Sequence, residues 1–184
     1  MKQQLMDAQR LDAQMTTIAD AMIGMIGGPE GAGNAAILGI RTRGAIMAQR
    51  LRRMLAESHG IDLPVGLLDI SLYRDDLSQL AVQPLVRKTQ LDFDVTDKVI
   101  LLVDDVLYTG RTIRSAIDEI IDFGRPRAIK LLVLVDRGGR ELPIQADFSA
   151  HTLDLDDGHV IKVCLKEVDE SDQVLLTERI GIKA

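Results

Sequence analysis

The sequence predicts an α/β fold with a mainly parallel central sheet flanked by helices. Two apolar runs without alternation, VILLV at 99–103 and AIKLLVLV at 128–135, read as strands buried on both faces, which is the pattern of parallel sheets. Segments with apolar residues at helical spacing lie between the strand-like runs. Strand and helix therefore alternate along the chain, and a parallel sheet is the architecture that accommodates this order.

Bulk properties narrow the class. The chain has 184 residues, 46% of them hydrophobic and 27% charged, enough for one domain, 1–184, with a substantial core. Aromatics make up 3% with no Trp, which argues against a base-stacking platform built on several rings. The net charge of −6 provides no global attraction for nucleic acid, so an RNA-binding role needs a local basic patch. The single cysteine, Cys164, lies in the alternation Ile161, Val163, Leu165 and reads as a buried small hydrophobe rather than a nucleophile. A reducing cytoplasm fits that usage. The start, MKQQLMDAQR, is charged where a signal peptide needs an apolar segment, which disfavours secretion. The most apolar window, 21–40, is interrupted by Gly27, Gly28, Pro29 and Glu30, so no membrane span is expected.

The elements follow in order. Residues 7–26 read as a helix with Leu11, Met15, Ile18, Met22 and Met25 or Ile26 on one face. A loop at 27–34 leads into a short strand, Ala35 to Ile40, which runs into RTRG. A second helix covers Arg43 to Ser58, with Met47, Leu51, Met54 and Leu55 on one face. VGLLDISLY, Val65 to Tyr73, reads as a strand, and the polar stretch Arg74 to Asp97 as a long mobile or functional loop. After the strand at Val99 to Val103 come a helix at Thr112 to Phe123, with Ile113, Ala116, Ile117, Ile120 and Ile121 inward, and a strand at Ala128 to Val135. HTLDLDDGHVIKVCL alternates around Asp157-Gly158 and reads as an antiparallel hairpin added at the sheet edge.

The chemistry concentrates in VILLVDDVLYTGRT, Val99 to Thr112. Asp104 and Asp105 sit at the carboxyl end of a strand, where ligands collect in open α/β sheets. The following VLYTGRT turns into a helix N-terminus, whose free N–H groups and dipole favour a phosphate. Thr109 and Thr112 add hydroxyl donors, and Gly110 permits close backbone approach. No lysine is present, so this is not a P-loop. Two carboxylates beside a phosphate cradle suit a ligand that is phosphorylated at one end and hydroxyl-rich or cationic in the middle. They accept hydrogen bonds from a ribose diol and help position Mg²⁺, directly or through water. The bland alternative, an N-cap aspartate beside a solvated one, does not account for the complete string.

Other patterns are rejected. GAG at Gly31 to Gly33 precedes a strand instead of following one, so it is no dinucleotide fingerprint. DLDDG at Asp154 to Gly158 has its glycine one place early for a calcium loop, and the twelfth position is Leu165. His59, His151 and His159 lack zinc spacing and read as surface residues. No Ser/His/Asp or Cys/His set points to covalent catalysis.

Four apolar residues, two acids and a T-G-x-T turn resemble the phosphoribosyl diphosphate (PRPP) signature of the type I phosphoribosyltransferases. LGIRTRG, DISLYRDDLS, VILLVDDVLYTGRTIRSA, FGRP and LVLVDRGGRELPIQAD, spread over about residues 38–148, are similar to the PyrR family, pyrimidine-operon RNA-binding attenuators that are also uracil phosphoribosyltransferases. The resemblance implies a type I phosphoribosyltransferase fold with a mobile flap and a small antiparallel hood. It implies that Asp104 and Asp105 hold the ribose hydroxyls and that Val106, Leu107, Tyr108, Thr109, Gly110, Arg111 and Thr112 cradle the 5′-phosphate. RTRG would be the diphosphate loop, with Arg41, Thr42 and Arg43 on the leaving group, since arginine offers a fixed fork of donors. Arg74 and Arg87 would close from the flap and exclude water. Asp136 and Arg137 would lie near the uracil. The implied reaction joins uracil N1 to the ribose C1 with loss of magnesium diphosphate, giving UMP. Mg²⁺ would arrive with PRPP. A homo-oligomer, dimer or higher, and a cytoplasmic location are also implied.

The RNA half of that pattern is altered. Where attenuating members of the family carry an arginine and a histidine in the first helix, and a histidine and an arginine in the loop after LVLVDR, this chain has Thr17, Asp20, Gly139 and Gln145. Thr16 is kept, and basic character survives in Arg41, Arg43, Arg50, Arg52 and Arg53. Arg50 and Arg53 share a helix face, Arg53 is spaced to pair with Glu57, and a solvated outer face is the favoured reading over an RNA surface. Two roles from different classes are therefore carried forward: uracil phosphoribosyl transfer, and nucleotide-tuned binding of a pyrimidine leader RNA. A transferase for a purine base or orotate is a third, disfavoured by VDRGGRELP.

Overall fold

The computed structural model describes residues 2–73 and 89–179. Along the chain run β1 (Lys2–Met6), α1 (Ala8–Ile26), a 3-10 turn (Pro29–Asn34), β2 (Ala35–Ile40), α2 (Arg43–His59), β3 (Val65–Leu68), a second 3-10 turn (Ile70–Leu72), β4 (Val99–Leu107), α3 (Arg111–Phe123), β5 (Ala128–Asp136), β6 (Phe148–Thr152), β7 (His159–Cys164) and β8 (Gln173–Glu178). A five-stranded sheet of order β3-β2-β4-β5-β6 is parallel throughout, and a separate three-stranded antiparallel sheet has the order β1-β8-β7.

The continuous apolar strands are buried on both faces, as their sequences require. Ala35, Ile37, Val99, Leu101, Val103, Leu132 and Leu134 join one core with the inward faces of α1 and α2. Ala36, Leu38, Ile40, Ile100, Leu102, Leu131 and Val133 join the other with Ile113, Ala116 and Ile120 of α3. The helix faces match the expected spacing: Leu11, Met15, Ile18, Met22 and Ile26 are buried on α1, and Met47, Leu51 and Leu55 on α2. Asp7 caps α1 by accepting from Arg10 N at 2.8 Å, and Gly27, with φ of 82°, ends it in the left-handed conformation that glycine adopts freely. Gly44 lets α2 approach β4: a Cβ there would lie 2.5 Å from the Val103 carbonyl oxygen.

Four expectations need correction. Ile121, expected inward on α3, is 58% exposed, because the buried face of that helix is set by Ile113, Ala116 and Ile120. The strand expected over Val65 to Tyr73 stops at Leu68, because Asp69 accepts from Ser71 N and turns the chain into the 3-10 segment. The polar stretch expected as a loop to Asp97 is partly fixed: Gln90 bridges Leu67, and Val95 is buried in the second core. The hairpin around Asp157-Gly158 does not form. β6 instead completes the parallel sheet against β5, and β7 pairs with β8 in the other sheet. Period-two alternation gives the face of a strand and not its partner. Here the partner is chosen by the turn at 153–158, where Leu153 N and Leu155 N bond the Asp136 and Arg137 carbonyls and carry the chain from one sheet to the other. The expected flap residues Arg74 and Arg87 lie outside the described residues. Among the described helices none is long and apolar enough to cross a membrane.

Candidate active site

The carboxyl ends of the parallel strands surround a pocket of about 330 Å³. Ile40, Arg41 and Thr42 line it after β2, Arg43 at the start of α2, Asp69, Ile70 and Ser71 after β3, and Asp104, Asp105, Val106 and Thr112 after β4. Successive strands of a parallel sheet bring these separate stretches of sequence together at one end, which is why the site was legible in pieces.

Two helix N-termini border the pocket, and the residues preceding them, Thr42 and Gly110, make no side-chain capping bond, although Thr109 Oγ1 accepts from Arg111 N at 3.3 Å. α2 begins at Arg43 after Thr42, and α3 begins at Arg111 after Gly110, whose φ of 91° lets the chain turn sharply into the helix. The peptide between Arg41 and Thr42 is cis. The first N–H groups of a helix have no intrahelical acceptor, so each start offers its remaining donors and a positive dipole end to an anion. By contrast α1, away from the pocket, is capped by a carboxylate.

Between these two starts lie Asp104 and Asp105. Asp104 is 6% exposed, and its Oδ1 accepts from Asp105 N at 2.9 Å. Burial pushes Asp104 well above the usual carboxylate range, and the adjoining Asp105 charge adds to this. Burial also raises Asp105, opposed by the hydrogen bond from Asp104 and the Arg43 charge. The free protein thus holds a carboxyl pair reluctant to ionise fully, and a donor-rich or cationic ligand would relieve that reluctance. Two adjacent carboxylates are hard oxygen donors. They fit a Mg²⁺ that keeps waters and takes its other oxygens from a diphosphate, and among the described residues no group of three or more His, Cys, Asp or Glu side chains is arranged to hold a metal.

The remaining expected residues are placed as follows. Arg41 donates to Gln90 Oε1 at 3.2 Å, and Arg43 donates from Nη2 to both carboxylate oxygens of Asp169 at 3.1 Å. In the loop expected to cradle a phosphate, Leu107 is buried in the core and Arg111 pairs with Glu141 at 2.5 Å. The Tyr108 hydroxyl donates to Asp157 at 2.6 Å, and its ring lies under the Arg137 guanidinium at 3.9 Å from the centroid. Arg137 is buried and donates to the His159 and Asp156 carbonyls at 2.7 and 2.9 Å. Asp136 accepts from Gly138 N and from Arg140. Of the two side chains expected near the base, Arg137 therefore ties this loop to β7 of the second sheet, Asp136 fixes the loop to itself, and neither lines the pocket. Asp69 and Ser71 do line it and escaped the sequence reading; the signal was the D-x-S pattern of a local turn inside an apparent strand.

In the basic cluster of α2, Arg52 and Arg53 lie on the solvated face that the spacing suggested, and Arg50 does not. Arg50 is buried and forms ion pairs with Glu167 at 2.5 Å and Asp172 at 2.7 Å. Arg52 pairs with Asp62, Arg53 with Glu57, and His59 contacts Asp20. Thr16 and Thr17 donate to carbonyls one turn back in α1.

Comparison with known proteins agrees with this geometry. The phosphoribosyl transferase domain model matches residues 9–167. Bifunctional protein PyrR of Thermus thermophilus is 50% identical over 180 residues, covering 98% of each chain, and that of Clostridioides difficile is 45% identical over 177 residues, covering 96% of this chain and 98% of the relative. Among solved structures, a Trypanosoma cruzi hypoxanthine phosphoribosyltransferase superposes with a TM-score of 0.70 at 16% identity, covering 96% of this chain and 91% of its own. A Leishmania tarentolae HGPRT-ase in complex with GMP gives 0.69 at 16% identity over 97% of each chain, and at this identity both likenesses speak for the fold. A parallel sheet carrying a carboxylate pair between two anion-ready helix starts, in a chain half identical to those relatives, belongs to the PyrR family of phosphoribosyltransferases.

Proposed function

We propose that this chain, as a single domain, transfers the phosphoribosyl group of PRPP to uracil, giving UMP and diphosphate. The observation that carries the reading is the gathering of charge in one pocket: two helix starts, α2 and α3, with the buried Asp104 and the half-buried Asp105. PRPP has the matching order, a diphosphate and a 5′-phosphate separated by a ribose diol. The start of α3, with Thr112, takes the 5′-phosphate. The start of α2, with Arg41, Thr42 and Arg43, takes the diphosphate. Asp104 and Asp105 accept hydrogen bonds from the ribose hydroxyls.

As uracil N1 joins C1 and the diphosphate oxygen departs, positive charge builds on the sugar and negative charge on the leaving group. Carboxylates under the ring and cationic donors at the diphosphate each meet the charge that develops, and both are fixed by the sheet beforehand. Bound Mg²⁺ would supply further neutralisation of the diphosphate, held in part by Asp104 and Asp105. The test is UMP formation by the double substitution Asp104→Asn, Asp105→Asn. Activity should fall by about a thousandfold or more while the circular dichroism spectrum is unchanged; full activity would sink the assignment.

The relatives' shared description, bifunctional, favours a second reading, UMP-tuned binding of a pyrimidine-operon leader RNA, which this chain's surface supports only weakly. The outer face of α1 and α2 supplies little for such a contact, since Arg50, Arg52, Arg53 and His59 all face carboxylates of the same chain.

A further inference from the structure

Arg43 belongs to the diphosphate loop, yet its Nη2 is held 126 residues away in sequence by Asp169. Asp169 is itself fixed before Arg43 reaches it. Its backbone N–H donates to Leu165 O at 2.7 Å, and its Oδ2 accepts from Leu165 N at 3.0 Å, so the carboxylate is locked to its own turn. Leu165, fully buried, anchors that turn in the core. One rung along, Asp172 Oδ1 accepts from Lys166 N at 2.8 Å and from Arg50 Nη2 at 2.7 Å. Residues 43 and 50 are seven apart on α2, two turns on one face, so about 10 Å of helix is clasped by a single turn between β7 and β8. The clasp begins at the residue whose charge is felt by Asp105 in the pocket.

We propose that Asp169 is a positioning residue for the diphosphate subsite: it orders the Arg43 guanidinium beside the start of α2, so that the leaving group meets a donor fork already in place. The proposal rests on the phosphoribosyl-transfer reading and names the residue that tunes one end of that site. A long arginine side chain loses rotamer freedom when it binds an anion, and an arginine ordered in advance loses less. Asp169 is not expected to touch substrate. Its effect passes through Arg43 and should be confined to the diphosphate end.

The experiment is a double-mutant cycle over wild type, Asp169→Ala, Arg43→Ala and the pair. KM for PRPP, KM for uracil and kcat are read in each, together with binding of magnesium diphosphate by calorimetry. Asp169→Ala should raise the PRPP KM and weaken diphosphate roughly 3- to 10-fold, the cost of ordering one such side chain, and leave the uracil KM unchanged. The effect should vanish in the Arg43→Ala background. Asp169→Asn, which keeps an acceptor for Leu165 N, should recover at least half of the lost diphosphate affinity and also serves if the alanine variant does not fold. Unchanged diphosphate binding in Asp169→Ala, an equal rise in both KM values, or full additivity with Arg43→Ala would overturn the proposal. If wild type binds diphosphate but makes no UMP, the transfer reading fails while the calorimetric cycle still decides the role of Asp169.

Discussion

A carboxylate buried beside another is held in place against its own solvation, and Asp104 carries that penalty in the free protein. The sign follows from linkage. Its folded value lies above the ordinary carboxylate value of about 3.9, so as pH rises past that value the unfolded chain releases this proton more readily than the folded one. Above pH of roughly 4 the group therefore opposes folding. Asp104→Asn, which keeps an Oδ1 acceptor for Asp105 N, should raise the thermal midpoint of the ligand-free protein at pH 7 while removing UMP formation. Calorimetric scans of both forms without PRPP or metal check this, and a lowered midpoint would contradict it. The sequence showed these two residues plainly because DD at the end of an apolar strand is a local pattern. Asp169 was not visible, because nothing near position 169 records that its partner is Arg43 at the start of another element.

At the scale of elements, α2 is held by ion pairs whose partners come from one turn. Arg50 is held in its charged form: burial works against the charge, but the hydrogen bonds and charges of Glu167 and Asp172 outweigh it. The Arg50 hydrogen bond keeps Glu167 below its usual range; burial pushes Asp172 up, but the bonds from Arg50 and from Lys166 N, with the charges of both residues, together bring it below its usual range. Carboxyls depressed in the folded state contribute stability above the unfolded values, near pH 4, that is lost as pH falls through the lower folded values. Urea midpoints measured from pH 6 down to 3 should therefore drop for wild type at the acid end. Glu167→Gln should flatten that limb, and Arg50→Ala should lower stability by roughly 1–3 kcal/mol at neutral pH, chiefly by leaving the half-buried Asp172 without its cation. An acid limb unchanged in Glu167→Gln would contradict the account. The helices and buried strands were legible because 3.6-residue spacing and unbroken apolar runs are properties of the segment itself. β1 was not: KQQLM places only Met6 in the core, and its strand form depends on pairing with β8. The β6–β7 hairpin failed for the same reason, since alternation leaves the choice of partner to tertiary contacts.

For the whole molecule, a net charge of −6 and an α1–α2 face on which Arg50, Arg52, Arg53 and His59 are paired within the chain predict weak RNA binding with a shallow salt dependence. A gel-shift titration with the organism's own pyrimidine-operon leader, with and without UMP, should show little complex at physiological salt. Tight UMP-enhanced and sequence-selective binding would show that other surfaces carry the RNA role. The phosphoribosyl-transfer reading draws instead on the geometry of the sheet end, where three loops and two helix starts converge on one pocket. The most direct measurement of the central claim is the initial rate of product formation from PRPP and Mg²⁺ with uracil, hypoxanthine, guanine and orotate offered separately. The account predicts saturable UMP formation with uracil as the preferred base. No product from uracil, or faster turnover of a purine or orotate, would contradict it.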